Sequence, residues 1–156
     1  MQRVYLMSPY SHKDIKVCEE RVKIADNASA FLMEQGYIVF SPLSHSHPIS
    51  LSEYGKNVSS HLDHGFWLTQ DFAWLQFCEG YFILKIEGWD KSTGVSVERA
   101  LCDAIDDKEI PFLGYIHYDP DADIADAFKI EWELPKLPIS FSAPDTSFPL
   151  FDGIQS

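Results

Sequence analysis

Basic residues are scarce in this chain: 12 Lys and Arg stand against 24 Asp and Glu, a net charge of −12 over 156 residues. No Lys/Arg stripe is available to release counterions from a phosphate backbone, so a nucleic-acid polymer is not an expected partner. Cysteine is sparse too. Cys18, Cys78 and Cys102 fall at helix-like apolar positions with no close pair, which argues against a disulfide frame or a cysteine zinc site and fits a reducing, cytoplasmic compartment. Long apolar runs are lacking: the longest are far short of the roughly 20 residues that span a bilayer, so no membrane partner is expected. The opening MQRVYLMSPY reads as a strand rather than a signal peptide. Repeats and low-complexity tracts are missing as well. A small anionic ligand stays open, since backbone amides at a helix N-terminus can hold one phosphate against an unfavourable net charge.

What is present is a core. With 46% hydrophobic and 14% aromatic residues the chain can bury a sizeable interior, and its length fits one domain. Arg3–Met7 reads as a first strand. From Asp14 to Gln35 the positions Cys18, Val22, Ala25, Ser29 and Leu32 repeat at helical spacing, with Gly36 placed to end the helix. Tyr37–Phe40 reads as a second strand, stopped by Ser41-Pro42, and Ser44–Ser52 as a loop rich in Ser, His and Pro. Phe66–Cys78 is an aromatic helix, Tyr81–Ile86 a continuous apolar run suited to a central parallel strand, and Lys91–Ala104 a further helix. Pro111–Ile116 is a fourth strand, and Asp121–Phe128 suggests a short helix. This alternation predicts a three-layer, Rossmann-like (flavodoxin-like) α/β fold over residues 1–134, with a mainly parallel sheet of four to five strands. Residues 135–156, broken by prolines and carrying Phe141, Phe148 and Phe151, read as an extended tail that packs on its own domain or across a subunit interface.

Two carboxylates stand where apolar residues belong. One turn from Glu98 lie Gly94, Val95, Leu101 and Cys102; one turn from Asp71 lie Trp67, Leu68, Trp74 and Leu75. Both side chains are thus aimed at the core side of their helices. A buried carboxylate costs several kcal/mol unless it is paired or neutral, and such groups cluster at active sites. In parallel sheets ligands gather at the carboxyl ends of the strands, which selects Ser8–Ser11 after the first strand, Ser41–His47 after the second, Glu87–Val97 after the third and Ile116–Tyr118 after the fourth; within them Ser8, Tyr10, His45, Trp89, Ser92, Gly94 and Ser96 are the candidate ligand contacts. The hydroxyls and free amides around Gly94 form a plausible phosphate cradle, although an ordinary helix cap has the same composition. His45-x-His47 and His61-x-x-His64 lack the spacing of a metal motif. No metal or other cofactor is expected.

The segments VYLMSPY, QDFAWLQFCEGYFIL and STGVSVERA together resemble the nucleoside 2-deoxyribosyltransferase superfamily, with greatest likeness to its 2′-deoxynucleoside 5′-phosphate N-hydrolase branch. The resemblance implies Glu98 as a nucleophile on the anomeric carbon, Asp71 as the proton donor to the leaving base, and Tyr5 as the hydroxyl that orients Glu98. It places Ser92 where the monophosphate branch has a serine and the transferases an aspartate. The expected activity is hydrolysis of a (deoxy)nucleoside 5′-monophosphate by a homodimer or larger homo-oligomer. Deoxyribose transfer between bases and non-catalytic nucleotide binding are the alternatives. For either reaction Glu98 is expected ionised and Asp71, among tryptophans, easier to keep protonated. The connection Glu87-Gly-Trp-Asp90 is longer than this resemblance leads one to expect, and no basic residues near Tyr10–Lys13 match the branch's phosphate ligands.

Overall fold

The computed structural model describes residues 1–58, 64–104 and 109–133. Among these residues five strands form one sheet in the order β2-β1-β3-β4-β5: β1 Arg3–Met7, β2 Ile38–Phe40, β3 Gly80–Lys85, β4 Phe112–Tyr118 and β5 Phe128–Trp132. The first four run parallel and β5 pairs antiparallel with β4. Among the described residues five α-helices accompany them: α1 Ile15–Glu34, α2 Pro42–Leu51, α3 Glu53–Val58, α4 His64–Leu75 and α5 Thr93–Ala104. The chain therefore adopts the three-layer, mostly parallel α/β fold expected from its alternation of elements. The tail from residue 135 and His61 lie outside the described residues.

Side-chain alternation divides the core in two. Val4, Leu6, Phe82, Leu84 and Ile116 face α1, meeting Ile24, Ala25, Ala28 and Leu32. Tyr5, Met7, Tyr81 and Ile83 point the opposite way, against Leu75 of α4 and Val95 and Cys102 of α5. Strands buried on both faces need apolar residues at every position, which is why β1 and β3 read as unbroken runs. Each fully buried aliphatic or aromatic side chain here contributes about 1.5–3 kcal/mol.

Two expectations are corrected. Ser44–Ser52 is not a loop but most of α2: Ser41 caps it, its Oγ accepting from Ser44 N, and Pro42 occupies the first turn. Ser-Pro ends a strand and also begins a helix, because proline has no N–H to lose in a first turn. Asp121–Phe128 is not a helix either. That stretch turns into β5, where Phe128, Ile130 and Trp132 pack on the α1-side core and Lys129 and Glu131 are exposed, an alternation that belongs to a strand.

Between β3 and β4 the register slips: Tyr81 pairs with Phe112 but Phe82 with Gly114, so Leu113 is an extra residue in β4. Its side chain lies over Gly80, where a Cβ would sit 2.7 Å from Leu113 Cδ1. Gly114 then takes φ +151°, and a Cβ there would fall 2.2 Å from Glu131 O of β5. Gly114→Ala should therefore pry β5 from β4, costing on the order of 2–4 kcal/mol and lowering Tm by several degrees in thermal unfolding.

Candidate active site

The sheet order reverses between β1 and β3. From β1 the chain crosses outward to β2 over one face, and from β3 to β4 over the other, so the loops beyond these strands part and leave a crevice. The result is a cleft of about 470 Å³. Ser8, Tyr10 and Ser11 border it beyond β1, Ser46, His47 and Ser50 from α2, Trp67, Leu68 and Asp71 from α4, and Lys91–Gly94 with Glu98 at the start of α5.

Glu98 is 7% exposed, on the same inward stripe of α5 as Val95 and Cys102. From the middle of β1 the fully buried Tyr5 donates its phenol proton to Glu98 Oε1 at 2.7 Å. Burial pushes the Glu98 carboxyl up to about 8; the Tyr5 hydrogen bond opposes this and the nearby Asp71 charge adds to it. Tyr5 itself is raised well above the usual phenol range, by burial first and by the Glu98 charge second, so it stays a donor. Asp71 is raised to about 6 by burial, and its Oδ1 is buried without a hydrogen-bond partner among the described residues. This reverses the order expected from sequence. Glu98 is the more deeply enclosed group and holds a proton more firmly in the free protein. Near neutral pH the two carboxyls together carry one proton, a property of the pair rather than of either residue.

A polar pole lies at the start of α5. Ser92 caps the helix, its Oγ accepting from Val95 N at 3.3 Å, so the cap reading of this serine is correct as far as it goes. The amides of Thr93 and Gly94, in the first turn, have no carbonyl of their own helix to bond. A Cβ at Gly94 would touch only Ser92 Oγ, at 3.7 Å, so the packing does not demand glycine; its lack of a side chain leaves the space to the cleft. Lys91 brings a positive charge to the same end. Such a pole suits an anionic group.

Of the residues expected at the site, Glu98, Asp71, Ser92, Gly94, Ser8 and Tyr10 line this one cleft, and Tyr5 stands directly behind Glu98. Three do not line it. His45 is exposed and packs its ring on Phe40 and Trp74, because two helix residues two apart point in very different directions. His47 takes the place instead, hydrogen-bonded to Tyr10 Oη at 3.2 Å. Trp89 sits edge-on against Tyr115 at 5.1 Å rather than over the cleft. Ser96 is exposed and turns its hydroxyl back to Ser92 O at 3.0 Å. The α2 contribution was hidden by the loop reading; as a helix, Leu43, Ser46, His47 and Ser50 form one stripe facing the cleft. Lys91 could have been found from its place immediately before the Ser-Thr-Gly cradle. Ser8 Oγ and Ser46 Oγ, like Asp71 Oδ1, are buried without partners among the described residues, and three such atoms in one cleft mark it as the candidate site. Among the described residues no cluster of three or more His, Cys, Asp and Glu could hold a metal ion, and no helix is long and apolar enough to cross a membrane.

The raised Glu98 carboxyl carries a stability consequence. Its proton is bound more tightly in the folded than in the unfolded chain, so the stabilisation is complete below about pH 4.5 and is lost as pH rises toward about 8. Glu98→Gln cannot ionise. Its Tm should match or trail the parent at pH 5 and exceed it at pH 8.5, with the gap opening between those values.

Residues 2–110 match the family model described as Domain of unknown function (DUF1937). The match takes in Tyr5, both carboxylates and every residue that lines the cleft, and leaves out β4 and β5. No curated protein matches the chain significantly. Spanning well over half of the sequence, the match shows that this protein belongs to the Domain of unknown function (DUF1937) family.

Proposed function

We propose that this protein hydrolyses the N-glycosidic bond of a (deoxy)nucleoside 5′-monophosphate, releasing free base and sugar 5-phosphate by way of a covalent glycosyl-Glu98 intermediate. The observation that carries this reading is the buried Tyr5–Glu98 hydrogen bond at a cleft that also holds an Asp71 oxygen with no partner among the described residues. Two carboxyl groups in unlike surroundings are the requirement for glycoside cleavage with a nucleophile and an acid. The resemblance to the deoxyribosyltransferase superfamily assigns the same residues these roles.

In the first step a Glu98 oxygen bonds to C1′, the C1′–N bond breaks, and its electron pair leaves with the base. Asp71 delivers a proton to that base. The pair's single proton must then reside on Asp71, although Glu98 holds it better in the free protein. Substrate supplies the reversal: a base covering Asp71 between Trp67 and Leu68 dries that carboxyl further, and positive charge growing at C1′ favours the Glu98 anion. In the second step Asp71 takes a proton from water, whose oxygen bonds to C1′ and frees Glu98. The 5′-phosphate fits the pole of Lys91, Ser92 and the Thr93 and Gly94 amides. A base in place of the water would make the same intermediate a transferase.

Incubation with a panel of nucleoside monophosphates, followed by chromatography, should release free base, and Glu98→Ala should slow this by roughly a thousandfold or more. Recovery of every nucleotide intact sinks the proposal in favour of simple binding. A new nucleotide formed when a second base is added would reveal transfer. For the monoprotonated pair to be the active form, kcat/KM must be bell-shaped with limbs at about 6 and about 8. Because the Tyr5 hydrogen bond lowers the Glu98 pKa, Tyr5→Phe should move the alkaline limb to higher pH.

A further inference from the structure

Arg21, on α1, is 8% exposed, and no carboxylate among the described residues forms an ion pair with it. Its guanidinium donates to backbone carbonyls instead: Nη1 to Tyr10 O at 3.3 Å and Ser11 O at 2.9 Å, Nη2 to Glu87 O at 2.8 Å. The first two carbonyls belong to the loop after β1 and the third to the loop after β3. These loops flank the crevice between the two strands. Tyr10 and Ser11 line the cleft from one, and Lys91 enters from the other.

A buried guanidinium is costly unless its donors are satisfied, so the three carbonyls and the arginine hold one another in place. The planar fork suits this task, with one arm to each loop, where a lysine offers a single point charge. Gly88 has the matching constraint. Its φ is +86°, and a Cβ there would lie 2.9 Å from Arg21 Nη2. Beyond it Trp89 rests on Tyr115, so the segment leading to Lys91 is pinned at both ends. The extra length of Glu87-Gly-Trp-Asp90 thus delivers a cation to the polar pole, in a chain with few to spare.

We infer that Arg21 is a positioning residue that fixes the span between the loops after β1 and β3, and so sets where Tyr10, Ser11 and Lys91 stand around an anionic group of the substrate. The anionic group rests on the proposed function; the coupling of the two loops does not. Limited proteolysis of the full chain tests the coupling. In Arg21→Met trypsin should cut after Lys13 and after Lys91, one in each loop, about tenfold faster or more, while Arg3 in β1 and Lys85 in β3 stay protected. Gly88→Ala retains the arginine but crowds it; it should give the same paired response and serves if the methionine variant does not fold. With a nucleoside monophosphate, Arg21→Met should raise KM about tenfold and leave kcat within about threefold. Lys23→Met, on the exposed side of the same helix, should change neither. A response confined to one loop, or unchanged KM in a folded Arg21→Met protein, overturns the inference. If the parent protein releases no base from any monophosphate, the proposed function fails by itself and the proteolysis result alone judges Arg21.

Discussion

The hydrogen bond from Tyr5 to Glu98 constrains more of this molecule than any other contact. Tyr5 lies at the middle of the innermost part of the sheet, flanked by β2 and β3, and its phenol reaches Glu98 only if α5 lies across that face with its first turn at the carboxyl ends of the strands. Once α5 is so placed, its first turn becomes the polar pole and the cleft acquires one end. Without the phenol, Glu98 would be a carboxyl enclosed among Val95, Cys102 and the sheet, with no hydrogen-bond donor among the described residues. The same hydrogen bond that secures the helix keeps the carboxyl within reach of ionisation.

The cleft works against the stability of the fold. Glu98 and Asp71 are both held above the usual carboxyl range, chiefly by burial, and Ser8 and Ser46 present buried oxygens that have no partner among the described residues. A domain of this size can carry such local losses because the sheet beneath is dry on both faces: Val4, Tyr5, Leu6, Met7, Phe82, Ile83 and Leu84 are all fully buried. Among the described residues the unmet polar groups gather in one crevice, above strands packed without compromise, which is where a functional site is sought.

Much of this was legible in the sequence, and what was not has physical reasons. Unbroken apolar runs named β1 and β3, and helical periodicity named α1, since both signals are local and repeat. The misplaced charges at positions 71 and 98 pointed to one cleft because side-chain direction on a helix follows from spacing alone. Ser41-Pro42 misled because one dipeptide serves as the end of β2 and the cap of α2; the helical stripe of Ser46, His47 and Ser50 was lost with it. The antiparallel return of β5 was missed beside a stretch rich in Asp and Ala. Arg21 gave no signal at all. Its partners are main-chain carbonyls at positions 10, 11 and 87, and nothing in the identities of those residues announces that their backbones converge.

The two described edges of the sheet also differ in kind. At one, β2 pairs over only three residues; at the other, β5 lies antiparallel, with Lys129 and Glu131 exposed along it. A short edge and a charged one are poor templates for a strand from another chain. The fold can therefore keep a wide crevice of unsatisfied groups at the top of its sheet without inviting aggregation along its flanks.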